Sequence, residues 1–271
     1  MPKLNSNLHL TFHGSHTTHS NMHCLKQFLL PLLTVSLLLH KVVAVNNPLF
    51  TSCSSSKSYT ASDPFNDNLN QLTFVLTTGS PFIGFGLGSI GQGADKVNGL
   101  ALCRGDVGSS ACKTCIRTAD AQIRQLCPFK KEAAIWFDEC LLRYSDVKFF
   151  GEIDGEHKFY MWNTQNVSMP SALFQVKVMK LMNSLKTKAY LSPLLFATQV
   201  TDIGLTEKLY GLAQCSRDLS GGDCKKCLET AIDELPGVRD ARRGGRFVGG
   251  SCNVRYELYP FFHAEDVQDV A

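Results

Sequence analysis

The sequence is poor in charge, in tryptophan and, past residue 44, in histidine. Only 19% of its 271 residues are charged, the formal net charge is +3, and there are two tryptophans. Residues 1–44 contain no acidic side chain, and their three lysines, Lys3, Lys26 and Lys41, account for the whole formal charge. The remainder is neutral, which argues against nucleic acid, whose phosphates call for a basic face. Six of the eight histidines also fall in that first stretch, leaving His157 and His263. With no readable nucleophile–base pairing, this scarcity predicts a protein without enzymatic activity, catalytic residues, metal or cofactor. Long apolar runs are missing too. The longest, FLLPLLTVSLLL from Phe28 to Leu39, has 12 residues and spans about 18 Å as a helix, against about 30 Å of bilayer hydrocarbon. The final AEDVQDVA is too polar for a lipid-anchor signal. No membrane anchor is expected, and a 44% hydrophobic composition excludes a disordered or collagen-like chain.

What is present begins with a leader. Lys26, the short apolar run and the small residues Val42, Val43 and Ala44 read as a secretory signal peptide with cleavage after Ala44. Met22 makes a more conventional start than Met1. Of 11 cysteines, Cys24 lies in the leader, and an even number behind a signal peptide reads as disulfides in an oxidising, extracellular compartment. That context outweighs a zinc site for the two C-x2-C pairs.

The cysteines also expose an internal repeat. Cys103, Cys112, Cys115 and Cys140 recur as Cys215, Cys224, Cys227 and Cys252 at a constant offset of 112, with GLALC matched by GLAQC and Arg143-Tyr144 by Arg255-Tyr256. This is a tandem duplication. Cys53 and Cys127 occur only in the first copy; the offset puts Arg239 opposite Cys127, and the counterpart of Cys53 falls near Trp162. Their joint absence from the second copy suggests that they pair, since losing both leaves no orphan thiol. The bridge would close a loop of about 75 residues and contribute about 4 kcal/mol. The second copy must replace it by packing, including packing against the first. The pairing of the other cysteines stays open at this level.

Apolar spacing predicts helices over Pro64–Thr77 (Phe65, Leu69, Leu72, Leu76, with Asp63 as N-cap), from Ser110 through Ile123, over Pro170–Lys188 (Leu173, Phe174, Val178, Leu181, Leu185), and over Asp223–Leu235. Strand-like segments are Val97–Cys103, Ala134–Phe137, Leu141–Tyr144, Leu209–Cys215, Arg246–Val248 and Asn253–Tyr259. The order implies a leader over 1–44, an α+β domain over 45–150, a linker over 151–156, and a second α+β domain with a polar tail over 157–271. Each unit is small enough to need its disulfides.

At these residues a resemblance becomes specific. The phrases ALCRGDVGSSACKTC, YMWNTQNVS, YGLAQCSRDLSGGDCKKC and GGRFVGGSCNVRYELYPF resemble the plant cysteine-rich repeat secretory proteins, built from ginkbilobin-like (salt-stress response/antifungal) domains. The resemblance covers essentially all of Cys53 to Phe262. The same tandem pair forms the outer part of cysteine-rich receptor-like kinases and plasmodesmal membrane proteins. It implies two helices packed on a five-stranded antiparallel sheet in each domain. It also implies bridges Cys53–Cys127, Cys103–Cys112, Cys115–Cys140, Cys215–Cys224 and Cys227–Cys252. The ginkbilobin-type lectin of this family binds mannose through an Asn, an Arg and a Glu. In the second copy Asn163, Arg246 and Glu257 occupy those places, and in the first Ser54, Ala134 and Ser145 do. An ungapped offset selects Asn166 instead of Asn163; aligning Phe65 with Phe174 selects Asn163. The bland alternative is that Arg246 and Glu257 form a structural ion pair across neighbouring strands. The function implied is that of an apoplastic binding protein of stress or defence, with mannose-containing glycans as ligand; the competing reading is a module that docks on an extracellular protein partner.

Other motifs carry less. Gly86-Leu87-Gly88-Ser89-Ile90-Gly91 fits G-x-G-x-x-G but lacks a strand–turn–helix context, and is read as a flexible hairpin loop. Arg104-Gly105-Asp106 is read as a strand-to-helix turn. Arg239, Arg242, Arg243 and Arg246 form a basic run, read as a solvated turn or local docking patch. His157 and His263 are given surface roles. Asn166-Val167-Ser168 is the only sequon and offers one N-glycan acceptor.

Overall fold

The structure, a computed structural model, describes residues 47–54, 56–204 and 206–262. The leader, Cys24, His263 and the polar tail lie outside these. Each copy of the repeat makes an antiparallel five-stranded sheet backed by two helices. In the first copy β1 (Phe50–Cys53), α1 (Pro64–Gly79), β2 (Phe85–Ile90), β3 (Val97–Cys103), α2 (Ser109–Leu126), β4 (Ala133–Trp136) and β5 (Cys140–Ser145) give the order β1-β4-β5-β3-β2. The second repeats it with β6 (Lys158–Trp162), α3 (Ser171–Leu191), β7 (Phe196–Asp202), β8 (Lys208–Cys215), α4 (Gly221–Asp233), β9 (Gly244–Gly249) and β10 (Cys252–Glu257), ordered β6-β9-β10-β8-β7.

The helices form where the apolar spacing predicted them, because one face of each meets the sheet. Phe65, Leu69, Leu72 and Leu76 of α1 are buried, as are Cys112, Ile116, Ala119 and Ile123 of α2. Leu173 is the exception on α3: it is half exposed, while Phe174, Val178, Leu181 and Leu185 are buried. Asp63 stands at the N-cap of α1 but does not cap it. Its carboxylate accepts from the Thr60 backbone N–H (2.7 Å) and hydroxyl (2.8 Å) instead. The sulfurs pair as Cys53–Cys127, Cys103–Cys112, Cys115–Cys140, Cys215–Cys224 and Cys227–Cys252.

The G-x-G-x-x-G segment is a strand, not a loop. Gly86 and Gly88 of β2 face the α1 side, where a Cβ on Gly86 would collide with the Ser80 side chain. Missing side chains there let helix and sheet approach. The same reason operates at the matched glycines Gly99 and Gly211: a Cβ would lie 2.8 Å from Leu72 in one copy and 2.6 Å from Leu185 in the other.

Side-chain alternation decides how the copies meet. On β3, β4 and β5, Val97, Ala101, Ala133, Ile135, Leu142 and Tyr144 join the helix-side core. Their neighbours Leu100, Ala134, Trp136 and Leu141 point the other way, into a shared cluster with Val248 of β9 and with Phe159 of β6 packed against it. The helix-free faces of the two sheets therefore pack together. Trp136 donates its indole N–H to Gly249 O (3.2 Å), and Gln214 donates to Cys103 O (2.9 Å), so polar groups at this contact are satisfied across it.

The chain between the copies is pinned. Gly151 N–H donates to Asp218 (2.8 Å) and Asp154 N–H to Ser251 Oγ (2.8 Å). The buried Asp154 carboxylate takes Arg143 Nη1 (2.7 Å) and His157 Nδ1 (2.8 Å). His157 thus has a structural role in place of the expected surface one, its side chain only 14% exposed. Burial pushes the Asp154 carboxyl up, but the His157 hydrogen bonds and the Arg143 charge outweigh it and hold the carboxyl at about 2. A folded value below the unfolded one stabilises the protein fully above about pH 4, and the contribution is lost as pH falls towards about 2. It amounts to about 2 kcal/mol. Denaturant unfolding of Asp154→Asn should therefore show a deficit of about that size at pH 6, shrinking towards zero near pH 2. An equal deficit at both pH values would mean that packing, not charge, carries the effect.

Candidate functional site

The helix-free face of the second sheet is not wholly covered by the first copy. At its open end lies a cavity of about 330 Å³ lined by Met161, Asn163, Arg246, Arg255 and Glu257, with Asp138 contributed by the first copy. The cavity brings together the three residues singled out in the sequence. Strand register explains how. Met161 and Arg255 both face Arg246 across adjacent strands, and Trp162 faces Gly245. In the first copy, Ser52 and Arg143 face Ala134, and Cys53 faces Ala133. Trp162 thus stands where Cys53 stands, and Asn163 where Ser54 does. Asn166 falls beyond the strand, bridged to Arg242.

Electrostatics at the site are organised around one carboxylate. Arg246 and Arg255 sit directly opposite each other, an unfavourable placement for like charges. Asp138 neutralises them: its Oδ1 accepts from Arg246 Nη1 and from Arg255 Nη1 (3.2 Å), and its Oδ2 from Arg104 Nη1 (3.0 Å). Arg104 is itself forked onto Asp106 at 2.6 and 3.0 Å, so the Arg-Gly-Asp tripeptide is closed on itself. Burial pushes the Asp138 carboxyl up, but Arg246, Arg255 and Arg104 together take it below the ordinary range. Burial also pushes Arg246 down, to about 10 against the pull of Asp138, and it remains a cation at neutral pH.

Two sequence expectations change here. Arg246 and Glu257 do not form the ion pair. Glu257 Oε1 takes Arg255 Nε (3.1 Å), while Arg246 pairs with Asp138 and donates from Nε to Asn253 (3.2 Å). Nor is Arg246 part of a solvated basic run, since its side chain is 7% exposed. Alternation separates it from that run, placing it on a central strand, whereas Arg239 lies in the exposed turn before β9. Asp138 and Arg255 were missed in the sequence. Arg255 had a signal, two residues from Glu257 on the same strand face. Asp138 had none, because Arg246 and Arg255, the two cations it neutralises at the site, lie in the other copy.

What the site offers chemically is a set of directed donors and acceptors. Glu257 Oε2 is buried with no partner in hydrogen-bonding geometry, and burial pushes the carboxyl up against the charge and hydrogen bond of Arg255 and the nearby Tyr259 hydroxyl. Asn163 holds its Oδ1 on the Gln165 N–H (2.8 Å), which orients the amide. Gly244 makes room: a Cβ there would overlap the Glu257 carboxylate. The first copy has no equivalent. Ala134 is packed into the shared cluster, and Ser145 Oγ is engaged by Val147 N–H (3.1 Å).

Two disulfide-stapled, helix-backed sheets from one duplicated sequence, packed face to face, define a tandem cysteine-rich repeat protein. The chain belongs to the salt stress response/antifungal family, whose model matches residues 52–147 and 162–259. It is 55% identical over 232 residues to an antimicrobial ginkbilobin-2-like protein of Castanea crenata, covering 86% of this chain and 95% of that one. It is 47% identical over 216 residues to cysteine-rich repeat secretory protein 38 of Arabidopsis thaliana, covering 79% and 85%. Among solved structures it is similar to the tandem DUF26 ectodomain of the Arabidopsis thaliana cysteine-rich receptor-like protein PDLP5. There the TM-score is 0.68 at 26% identity, over 79% of this chain and 100% of that one. It is a secreted, cysteine-rich protein of the stress and antifungal type with a tandem DUF26 pair. No helix among the described residues is long and apolar enough to cross a membrane.

Proposed function

We propose that the second copy is a carbohydrate-recognition module of the mannose-binding kind, acting in the apoplast in stress or defence. The observation that supports it is the unpartnered, buried Glu257 Oε2, set in one cavity with the Asn163 amide and the Arg246 guanidinium. A buried acceptor without a partner is costly, and a sugar hydroxyl would satisfy it. Amide and guanidinium add donors of fixed direction. Calorimetric titration with methyl α-mannoside tests the reading. Binding should be saturable and weakened about tenfold or more by Glu257→Gln or Asn163→Ala, with unchanged melting. A wild-type protein that takes up no mannoside, or variants that bind as well as it does, would sink the reading. Asn166 is exposed and is the proposed glycan acceptor. Docking on an extracellular protein is the second reading, supported by Phe74, Phe82 and Ile83, which are 68, 83 and 64% exposed on the first copy. It predicts a mannose-blind protein that nonetheless binds a receptor ectodomain through that surface.

A further inference from the structure

We propose that the second copy carries another saccharide subsite on the far side of Trp162, so that its ligand is an oligosaccharide laid across the β6 edge. The inference rests on the carbohydrate reading of the first cavity and extends it.

The starting point is the missing disulfide. In the first copy Cys53–Cys127 ties the end of β1 to the end of α2. In the second, strand register puts Trp162 in the place of Cys53, and the repeat offset puts Arg239 in that of Cys127. No bridge joins them. Both instead line an open groove of about 540 Å³, with Tyr160, Glu234, Pro236 and Asp240. The tie between the edge strand and α4 is made lower down: Lys158 Nζ meets both Glu234 oxygens at 3.0 and 2.9 Å, and the Tyr160 hydroxyl donates to Oε2 at 2.6 Å. That contact holds the strand while leaving the groove above it accessible.

The lining fits a neutral polyhydroxylated chain. Trp162, 57% exposed, ends the edge strand and borders both the groove and the first cavity. Exposed indole provides a flat apolar face with a polar tip, suited to the C–H face of a pyranose. Arg239 and Asp240, both exposed, supply donors and acceptors for hydroxyls beside it. Lys158 and Arg239 are offset by Asp233, Glu234 and Asp240, a near balance that gives no attraction to an anionic ligand. Trp162 stands at the border of both cavities, so a chain rounding the end of β6 passes from one to the next.

The test is calorimetric titration of the full disulfide-bonded protein with α-linked manno-oligosaccharides from one to five residues. Affinity should rise about tenfold from the mono- to the trisaccharide. The double variant Arg239→Ala/Asp240→Ala, which alters only exposed side chains, should abolish the rise and leave monosaccharide affinity unchanged. A second readout follows from the two tryptophans, Trp136 and Trp162. Trp136 is buried at 3% exposure, so an oligosaccharide-dependent change in emission reports on Trp162. Affinity that is flat with chain length, or a rise that survives the double variant, overturns the second subsite while the first stands. If no saccharide of any length binds, the carbohydrate reading falls and this subsite with it.

Discussion

Replacing Asp138 by alanine is expected to lower the unfolding free energy by about 3 kcal/mol. The strand register sets Arg246 and Arg255 directly opposite each other. Arg246 has a side-chain exposure of only 7% and cannot turn to solvent. Among the described residues Asp138 is the one carboxylate that touches both, and it reaches Arg104 as well. Removing it leaves a buried cation without its counter-charge beside a second cation. Loss of one partner of a buried pair costs roughly 3–5 kcal/mol, and the lower end applies because Asp138 itself is half open to water. Denaturant unfolding of the disulfide-bonded protein measures it. The paired variant Asp138→Ala/Arg246→Ala should recover part of the loss, since it removes the stranded charge too. A single variant within about 0.5 kcal/mol of wild type would mean that water already solvates the two arginines.

The double substitution Cys53→Ser/Cys127→Ser is expected to cost about 4 kcal/mol, the largest effect of any change considered. The bridge spans a sequence separation of 74, and the denatured chain gains the freedom of that whole loop when it is removed. The second copy supplies the internal control. Its equivalent tie is the exposed contact of Glu234 with Lys158 and Tyr160, and exposed ion pairs contribute about 0–1 kcal/mol. Glu234→Gln should therefore cost less than about 1 kcal/mol. In native-state hydrogen exchange the β6 edge should open before the β1 edge. Equal protection of the two edges, or a cysteine double variant as stable as wild type, would contradict the account.

Legibility of the fold followed neighbour count. Every inner strand, β3, β4, β5, β8, β9 and β10, coincides with a segment readable in the sequence. The edge strands of the two described sheets, β1, β2, β6 and β7, coincide with none. An inner strand is buried on both sides and shows it in its residues. An edge strand such as FGLGSI or KFYMW has one neighbour, and its glycines or exposed aromatics read as loop until a sheet is there to receive it. The candidate site divides in a similar way. Asn163, Arg246 and Glu257 were reachable through the repeat and the resemblance, because each occupies a definite register position. Asp138 was not, because it reaches Arg246 and Arg255 only through the stacking of two faces.

By itself the sequence determined the duplication and its offset of 112, the even cysteine set beyond residue 44, and, Leu173 apart, the buried residues named for the described helices. These are properties of spacing along one chain, and periodicity carries them. The tertiary structure alone decided that Arg246 answers to Asp138 and not to Glu257. It also decided that the place of a missing disulfide became a groove beside Trp162. Both depend on which surfaces come within a few ångströms when one sheet packs on another. Coulombic and packing energies respond to that distance, and no interval in the sequence encodes it.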